Sequence, residues 1–218
     1  MILAFILGCI NPTPIATAQN LPPEFQKSGI GNAAYDTLRK AHYHAVKQGK
    51  TTSNTVTLID LSLPSTQKRL WVLDLEHEQV LHHAQVTHGR NSDQNNDGYV
   101  DKDGLSNDID SKKSSIGVYL TQDTYYSNKF EGTALRLEGL EPDFNDNARK
   151  RAIVMHPADY ADRSVGTKLG RSWGCPALHP KVSEQIIDTI QNDQLLIQYY
   201  PDKTWLTKSE FLKEIPIE

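Results

Sequence analysis

The chain has 218 residues, 38% of them hydrophobic and 23% charged, with a formal net charge of −4 and a pI near 6.1. Such a composition describes a folded globular chain holding one domain of ordinary to large size, and excludes a disordered tail. The acidic balance gives no electrostatic footing for a nucleic-acid partner. Beyond the first residues, no segment approaches the roughly 20 apolar residues of a membrane span.

The first ten residues, MILAFILGCI, are apolar, and Ala16-Thr17-Ala18 offers a small-x-small cleavage site before Gln19. Residues 1–18 therefore read as a signal segment, although a basic start is missing. ILGC can also be read as a lipoprotein box with Cys9 lipidated; ten apolar residues are too few for a plain anchor. Either route predicts an exported protein, periplasmic or associated with the cell wall. Cys175 is then the only cysteine of the mature chain, so an intramolecular disulfide is excluded. In an oxidising compartment an unpaired thiol is a liability unless it is buried or used.

Residues 19–54 read as an N-terminal extension: an extended lead-in with Pro22 and Pro23, then a helix over residues 32–48. Ala34, Leu38, Ala41 and Ala45 recur there at i, i+4, i+7 and i+11. KQGKTTSN breaks the helix. TVTLIDLSL, RLWVLDLE and QVLHHAQVTHG follow as short β-rich runs separated by turn residues, predicting strands of a mostly antiparallel sheet. Residues 91–113 are polar and aspartate-rich, a loop. SSIGVYLTQ and TALRLEGLE are further strands, and DNARKRAIVMH reads as a short helix running into a strand. After Cys175, Val182, Ile186, Ile187 and Ile190 share one helical face with Pro180 near its start. QLLIQYYP is the last strand, and residues 201–218 read as a C-terminal tail. Together these predict an α+β, strand-dominated sandwich or barrel over residues 55–200, with an N-terminal helix and a helix after the cysteine.

Cys175 lies in KLGRSWGCPALHP, among small residues that build a tight turn. A thiol attacks carbonyls only as thiolate, and a histidine is its usual base. His42, His44 and His77 sit in surface-like patterns, and His82 and His83 face opposite ways on a strand. His156 ends the apolar run AIVM, where side chains emerge from a sheet edge. The alternative reading of Cys175 is a small buried core residue.

The stretch MHPADYADRSVGTKLGRSWGCPAL resembles the YkuD-type L,D-transpeptidase catalytic domain, in its murein L,D-transpeptidase branch. Fifteen residues separate His156 from Ser172, and the turn reads Ser172-Trp173-Gly174-Cys175. THGR at 87–90, SSIGVYLT at 114–121 and GTALRLEGLE at 132–141 carry the likeness further. Common members of the family have histidine where Trp173 stands and a basic or amide residue where Ala177 stands. The resemblance implies an L,D-transpeptidase-like fold and a Cys175 nucleophile with His156 as base, needing no cofactor for catalysis. It also implies a peptidoglycan stem peptide as substrate, carbapenem-type inhibitors, and Pro157 offering a carbonyl to orient the histidine. Main-chain N–H groups of Gly174 and Cys175 are expected to form an oxyanion hole, with Ser172 holding the turn. Arg171 is the nearest replacement for the missing basic residue and could grip a carboxylate. Trp173, His88 and Arg90 are further candidate substrate contacts; His88 reads equally as a hydrogen-bonded strand-end residue.

A separate feature is DQNNDGYVDKDG. Asp93, Asn95, Asp97, the Tyr99 carbonyl and Asp101 have the spacing of a partial EF-hand, with Gly98 at the sharp turn. The spacing predicts a structural Ca2+; a solvated acidic loop is the alternative. Gly104 occupies the place of the usual twelfth-position glutamate. No grouping suggests zinc. The reading is an exported cysteine L,D-transpeptidase. Its rivals are an L,D-carboxypeptidase or amide hydrolase with the same pair, and a noncatalytic, calcium-ordered cell-wall binding module.

Overall fold

Eight strands join into one mixed sheet. They are β1 (Thr55–Asp60), β2 (Leu70–Asp74), β3 (Gln79–Ala84), β4 (Gly117–Ser127), β5 (Gly132–Gly139), β6 (Val154–Pro157), β7 (Ala177–Leu178) and β8 (Leu195–Tyr199). This computed structural model describes residues 20–162 and 168–216; the signal segment expected over residues 1–18, with Cys9, lies outside the described residues. The strand order is β3-β2-β1-β8-β4-β5-β6-β7. Pairing is antiparallel throughout except for β1 with β8 and β6 with β7. The strand-dominated α+β architecture expected from the sequence is the one found.

β1, β2 and β8 read as continuous apolar runs because both faces of the sheet are covered. Val56, Leu58, Trp71, Leu73, Leu195 and Ile197 pack on one face with α2 (Asn32–Lys47), through Ala34, Tyr35, Leu38, Ala41 and Ala45. Ile59, Leu70, Val72 and Leu196 point the other way, toward Leu135, Leu137, Met155 and α3 (Pro180–Ile190), through Ile186, Ile187 and Ile190. Each fully buried aliphatic side chain contributes about 1.5–3 kcal/mol. α3 starts on Pro180, which fits a first helical position, while the His179 side chain caps Lys181 N–H.

Four local expectations are corrected. The lead-in is not extended: α1 (Pro23–Lys27) begins on Pro23 and buries Phe25. Residues 141–152 form hydrogen-bonded turns instead of a short helix. There the Asn145 amide accepts from Glu141 N–H (2.9 Å) and donates to Val118 O (2.9 Å), competing with helical bonding. His42 is buried on the sheet side of α2, its Nε2 3.0 Å from Ser53 O. The C-terminal segment folds back as α4 (Lys203–Lys208), capped by Asp202, and buries Trp205, Phe211 and Leu212.

The sheet closes on itself near its last strand. Beyond β3 the chain continues through Thr87–Arg90 alongside residues 172–177. Thr87 N–H donates to Ala177 O (3.0 Å), Ser172 N–H to His88 O (2.9 Å) and Arg90 N–H to Ser172 O (2.7 Å). Gly89 and Ser172 form a parallel bridge. The closure makes the sheet barrel-like and puts the cysteine turn at its seam.

Trp205 donates its indole N–H to the buried Glu141 carboxylate (2.9 Å), which also accepts from Val118 N–H (2.6 Å) and from Ser209 Oγ. Trp205→Ala removes a fully buried ring and one of the three donors on that carboxylate, so a loss of about 3–5 kcal/mol is expected. Urea unfolding measures it; an unchanged midpoint would show that α4 does not brace the sheet.

Candidate active site

The parallel pairing of β6 with β7 sets the site. His156 lies opposite Ala177, and Pro157 opposite Leu178. Cys175 stands two residues before Ala177, so extending the register backwards puts it on the same sheet face as His156. His156 ends the buried run Val154–Pro157, and its ring is almost fully enclosed. The His156 Nδ1 lies 2.8 Å from Pro157 O. A carbonyl only accepts, so Nδ1 carries the proton and Nε2 keeps a free lone pair. Phe130, from the β4–β5 turn, stacks on the imidazole at 3.7 Å between centroids and 13° between planes. Ring position and tautomer are both fixed.

The thiol sits in a turn with little slack. Ser172 Oγ donates to Cys175 O (2.6 Å) and accepts from Gly174 N–H (3.0 Å). Gly174 has φ +118°, and a Cβ there would fall 2.6 Å from Lys113 O, so only glycine fits. Cys175 Sγ lies 3.8 Å from Ala152 O. Gly174 N–H is therefore spent inside the turn and does not face an incoming oxyanion, contrary to the expectation. Among the described residues, the main-chain N–H of Cys175 has no partner.

Burial pushes the Cys175 thiol up, while Val154 N–H, Lys129 and Arg151 oppose that shift. Burial holds His156 below the ordinary histidine value; the Pro157 carbonyl raises it and Lys129 lowers it further. At neutral pH the imidazole is thus neutral and able to take a proton. Arg151 was missed by sequence reasoning; its place at the end of the basic run Arg149-Lys150-Arg151, directly before AIVMH, was the available signal. Lys129 and Phe130, on the β4–β5 turn, carried no signal at all.

His88 is not a substrate contact. It is buried, with Nδ1 2.9 Å from Arg69 Nη2 and Nε2 3.4 Å from Asp93 Oδ2. The guanidinium can only donate, so Nε2 carries the hydrogen toward Asp93. Arg69 in turn donates to Val86 O (3.0 Å) and Leu63 O (2.7 Å). His88 is the strand-end residue of the alternative reading, and it supports the carbonyl that receives Ser172 N–H.

The acidic loop is built around Asp93. Its carboxylate accepts from Asp97 N–H (3.0 Å) and Gly98 N–H (3.0 Å), and Asp101 accepts from Gln94 N–H (2.8 Å). Asp97 accepts from Tyr99 N–H (2.9 Å), and the Tyr99 side chain is exposed. Among the described residues, no three His, Cys, Asp or Glu side chains are gathered for a metal ion. Of the residues Asp93, Asn95, Asp97, Tyr99 and Asp101 expected to hold a cation, the three carboxylates cap turns of the loop.

Arg171 and Arg90 do come together. Arg171 Nη1 donates to Asp93 O and lies 3.2 Å from Arg90 O. Arg90, Asn91, Gln94, Lys113 and Arg171 line an open groove of about 460 Å³. Trp173 is 65% exposed, with Lys112 Nζ 4.8 Å and Lys129 Nζ 5.8 Å from its ring centroid.

The sheet thus closes at a turn that carries a free thiol, and β6, which pairs with the strand after that turn, carries His156. The chain belongs to the L,D-transpeptidase catalytic domain family (YkuD_2), whose model matches residues 26–199. Solved structures similar to it include the L,D-transpeptidase from Mycobacterium smegmatis, at 12% identity and TM-score 0.42 over 68% of this chain and 59% of that one. L,D-transpeptidase 3 from Mycobacterium tuberculosis is 13% identical, TM-score 0.40, over 67% and 61%. LdtMt1 in complex with imipenem is 13% identical, TM-score 0.41, over 67% and 59%. The chain thus spans about three fifths of these structures' lengths. The comparison with curated proteins finds no match.

Burial, and then the Arg69 charge, push His88 down to about 4. An unfolded histidine ionises near 6.5, so below that pH the unfolded chain takes up a proton that folded His88 refuses. Stability is therefore whole above pH 6.5 and falls by up to about 3 kcal/mol as pH drops toward 4. Unfolding midpoints at pH 7 and pH 4.5 test this. His88→Gln should flatten the difference, and an equal slope in both proteins would refute the assignment.

Proposed function

We propose that this domain is an exported cysteine L,D-transpeptidase acting on peptidoglycan stem peptides. The observation that supports it most is the β6–β7 register together with the Pro157 carbonyl on His156 Nδ1, which leaves Nε2 as base on the thiol's side of the sheet. Cys175 loses its proton to Nε2 and attacks the carbonyl at the L-centre of the third stem residue. The developing oxyanion is met by the Cys175 main-chain N–H. His156 returns the proton to the departing amine, leaving a thioester on Cys175. A second stem's amine, deprotonated by the same imidazole, then takes the acyl group and forms the cross-link. Water in place of that amine gives an L,D-carboxypeptidase.

The groove of Arg90, Lys113 and Arg171 suits a stem carboxylate, in a chain whose overall charge is negative. Trp173 offers an exposed aromatic face at the rim, where common members of the family carry histidine.

Incubation with a carbapenem is expected to add one inhibitor mass at Cys175 and none in Cys175→Ala. An unmodified wild-type thiol would sink the nucleophile assignment. With purified muropeptides, new dimers support transfer to an amine, whereas trimmed monomers alone would replace transfer by hydrolysis. Arg171→Gln should raise KM about tenfold with kcat little changed, since a charge-assisted hydrogen bond contributes about 1.5–3 kcal/mol. An unchanged KM would remove Arg171 from substrate binding.

A further inference from the structure

Arg151 stands on the turn that leads into β6, five residues before His156 and next to Ala152, whose carbonyl the thiol approaches. Its guanidinium makes an unusual number of contacts for a side chain outside the sheet. Nη1 donates to Ser106 O (2.8 Å) and Ser115 Oγ, and Nη2 donates to Ser111 Oγ (3.1 Å) and Lys113 O (2.5 Å). All four acceptors belong to the segment from Ser106 to Ser115, and all are neutral. The same segment carries Lys113, whose carbonyl oxygen would lie 2.6 Å from a Cβ at Gly174. Nη2 itself would lie 3.2 Å from a Cβ at Gly174. A half-buried cation is thus locked between the loop and the cysteine turn, and none of its hydrogen-bond acceptors is a carboxylate.

We propose that Arg151 is a positioning residue for the nucleophile: its fixed guanidinium clamps the Ser106–Ser115 segment behind Gly174 and supplies the positive field in which Cys175 acts as a thiolate. The inference rests on the reading of Cys175 as nucleophile. Four elements bring ionisable groups toward Cys175. They are His156 on β6, Lys129 on the β4–β5 turn, Tyr160 on the short turn after β6, and Arg151. Tyr160 is a neutral phenol, its ionisation pushed up to about 12. His156 is neutral before reaction, and Lys129 is solvent-exposed and shared with two aromatic rings. Arg151 faces Tyr119 on β4 and Asp108 on the loop as well as Cys175. Tyr119 stays protonated because burial raises it, and Asp108 is exposed and held by Ser106. Arg151 is therefore the one preorganised, permanent cation among these groups.

The test is the pH profile of Cys175 alkylation by iodoacetamide in the full chain, read on the Cys175 peptide by mass spectrometry, with melting temperatures taken alongside. Arg151→Gln should shift the profile upward by about one unit, which is roughly tenfold slower alkylation at a fixed pH below the midpoint. Arg151→Lys should recover most of that loss. A profile unchanged in Arg151→Gln, whatever its melting temperature, overturns the proposal and leaves Arg151 as a loop brace. Equal slowing in the lysine variant overturns it too, because charge would then not matter. A salt series on wild type stands independently of variant folding. The profile should hardly move between about 0.05 and 0.5 M salt, since partly buried charges are screened weakly. A unit-sized upward shift with salt would assign the field to exposed Lys129 and overturn the proposal. Failure of the carbapenem adduct in wild type removes the nucleophile itself; an intact adduct with an unshifted Arg151→Gln profile removes only Arg151's part.

Discussion

The parallel register between β6 and β7 is the constraint on which the rest depends. β7 has two residues, too short to hold itself in place, and it relies on β6 on one side and on the Thr87–Arg90 segment on the other. Those hydrogen bonds fix where the chain re-enters the sheet after the cysteine turn. A slip of one residue would send the thiol to the opposite face from His156. The buried chain from Arg69 through His88 to Asp93 stiffens the second support, because the carbonyl that receives Ser172 N–H belongs to His88 itself. Packing beneath the sheet and polar bonding at its seam thus serve the same small geometry.

The electrostatics of the pair follow from the same enclosure. Burial favours the neutral form of both groups, raising the thiol and lowering the imidazole, which works against a preformed ion pair. Under the proposed reading, proton transfer accompanies attack, when charge moves onto an oxygen near the Cys175 main-chain N–H, which has no partner among the described residues. Fixing Nδ1 on Pro157 O costs nothing at that moment, since the ring is already oriented and stacked on Phe130. The basic groove of Arg90, Lys113 and Arg171 is open to solvent, outside this enclosed region.

Much of this was legible in the residues. Strand positions followed from short β-branched runs, and α2 and α3 from helical spacing, because those signals report burial directly. The motif that joined His156 to Cys175 has its two ends on β6 and on the turn before β7. What stayed hidden depends on contacts between distant segments. Phe130 meets His156 only because β5 pairs with both β4 and β6. His88 read equally as a substrate contact and as a strand-end residue until Arg69, nineteen positions earlier, was seen to occupy its Nδ1. The acidic run has cation-ligand spacing, yet spacing alone does not say whether carboxylates turn toward one another or toward nearby N–H groups. Gly174 was read as an oxyanion donor because its conformational role was visible and its hydrogen-bond partner was not.

Glu141 lies at the head of the connection that later delivers Arg151 and Ala152 to the thiol, and its carboxylate is held by groups from β4, α4 and Ser209. The last stretch of the described chain is thereby wired to the reactive turn through a single covalent segment. A shortening that removes Trp205 and Ser209 would leave that acid only the Val118 N–H and so loosen the segment that runs on to Arg151 and Ala152. Handling of the carboxyl end, remote from the seam in every diagram of the sheet, is thus a matter of chemistry as much as of convenience.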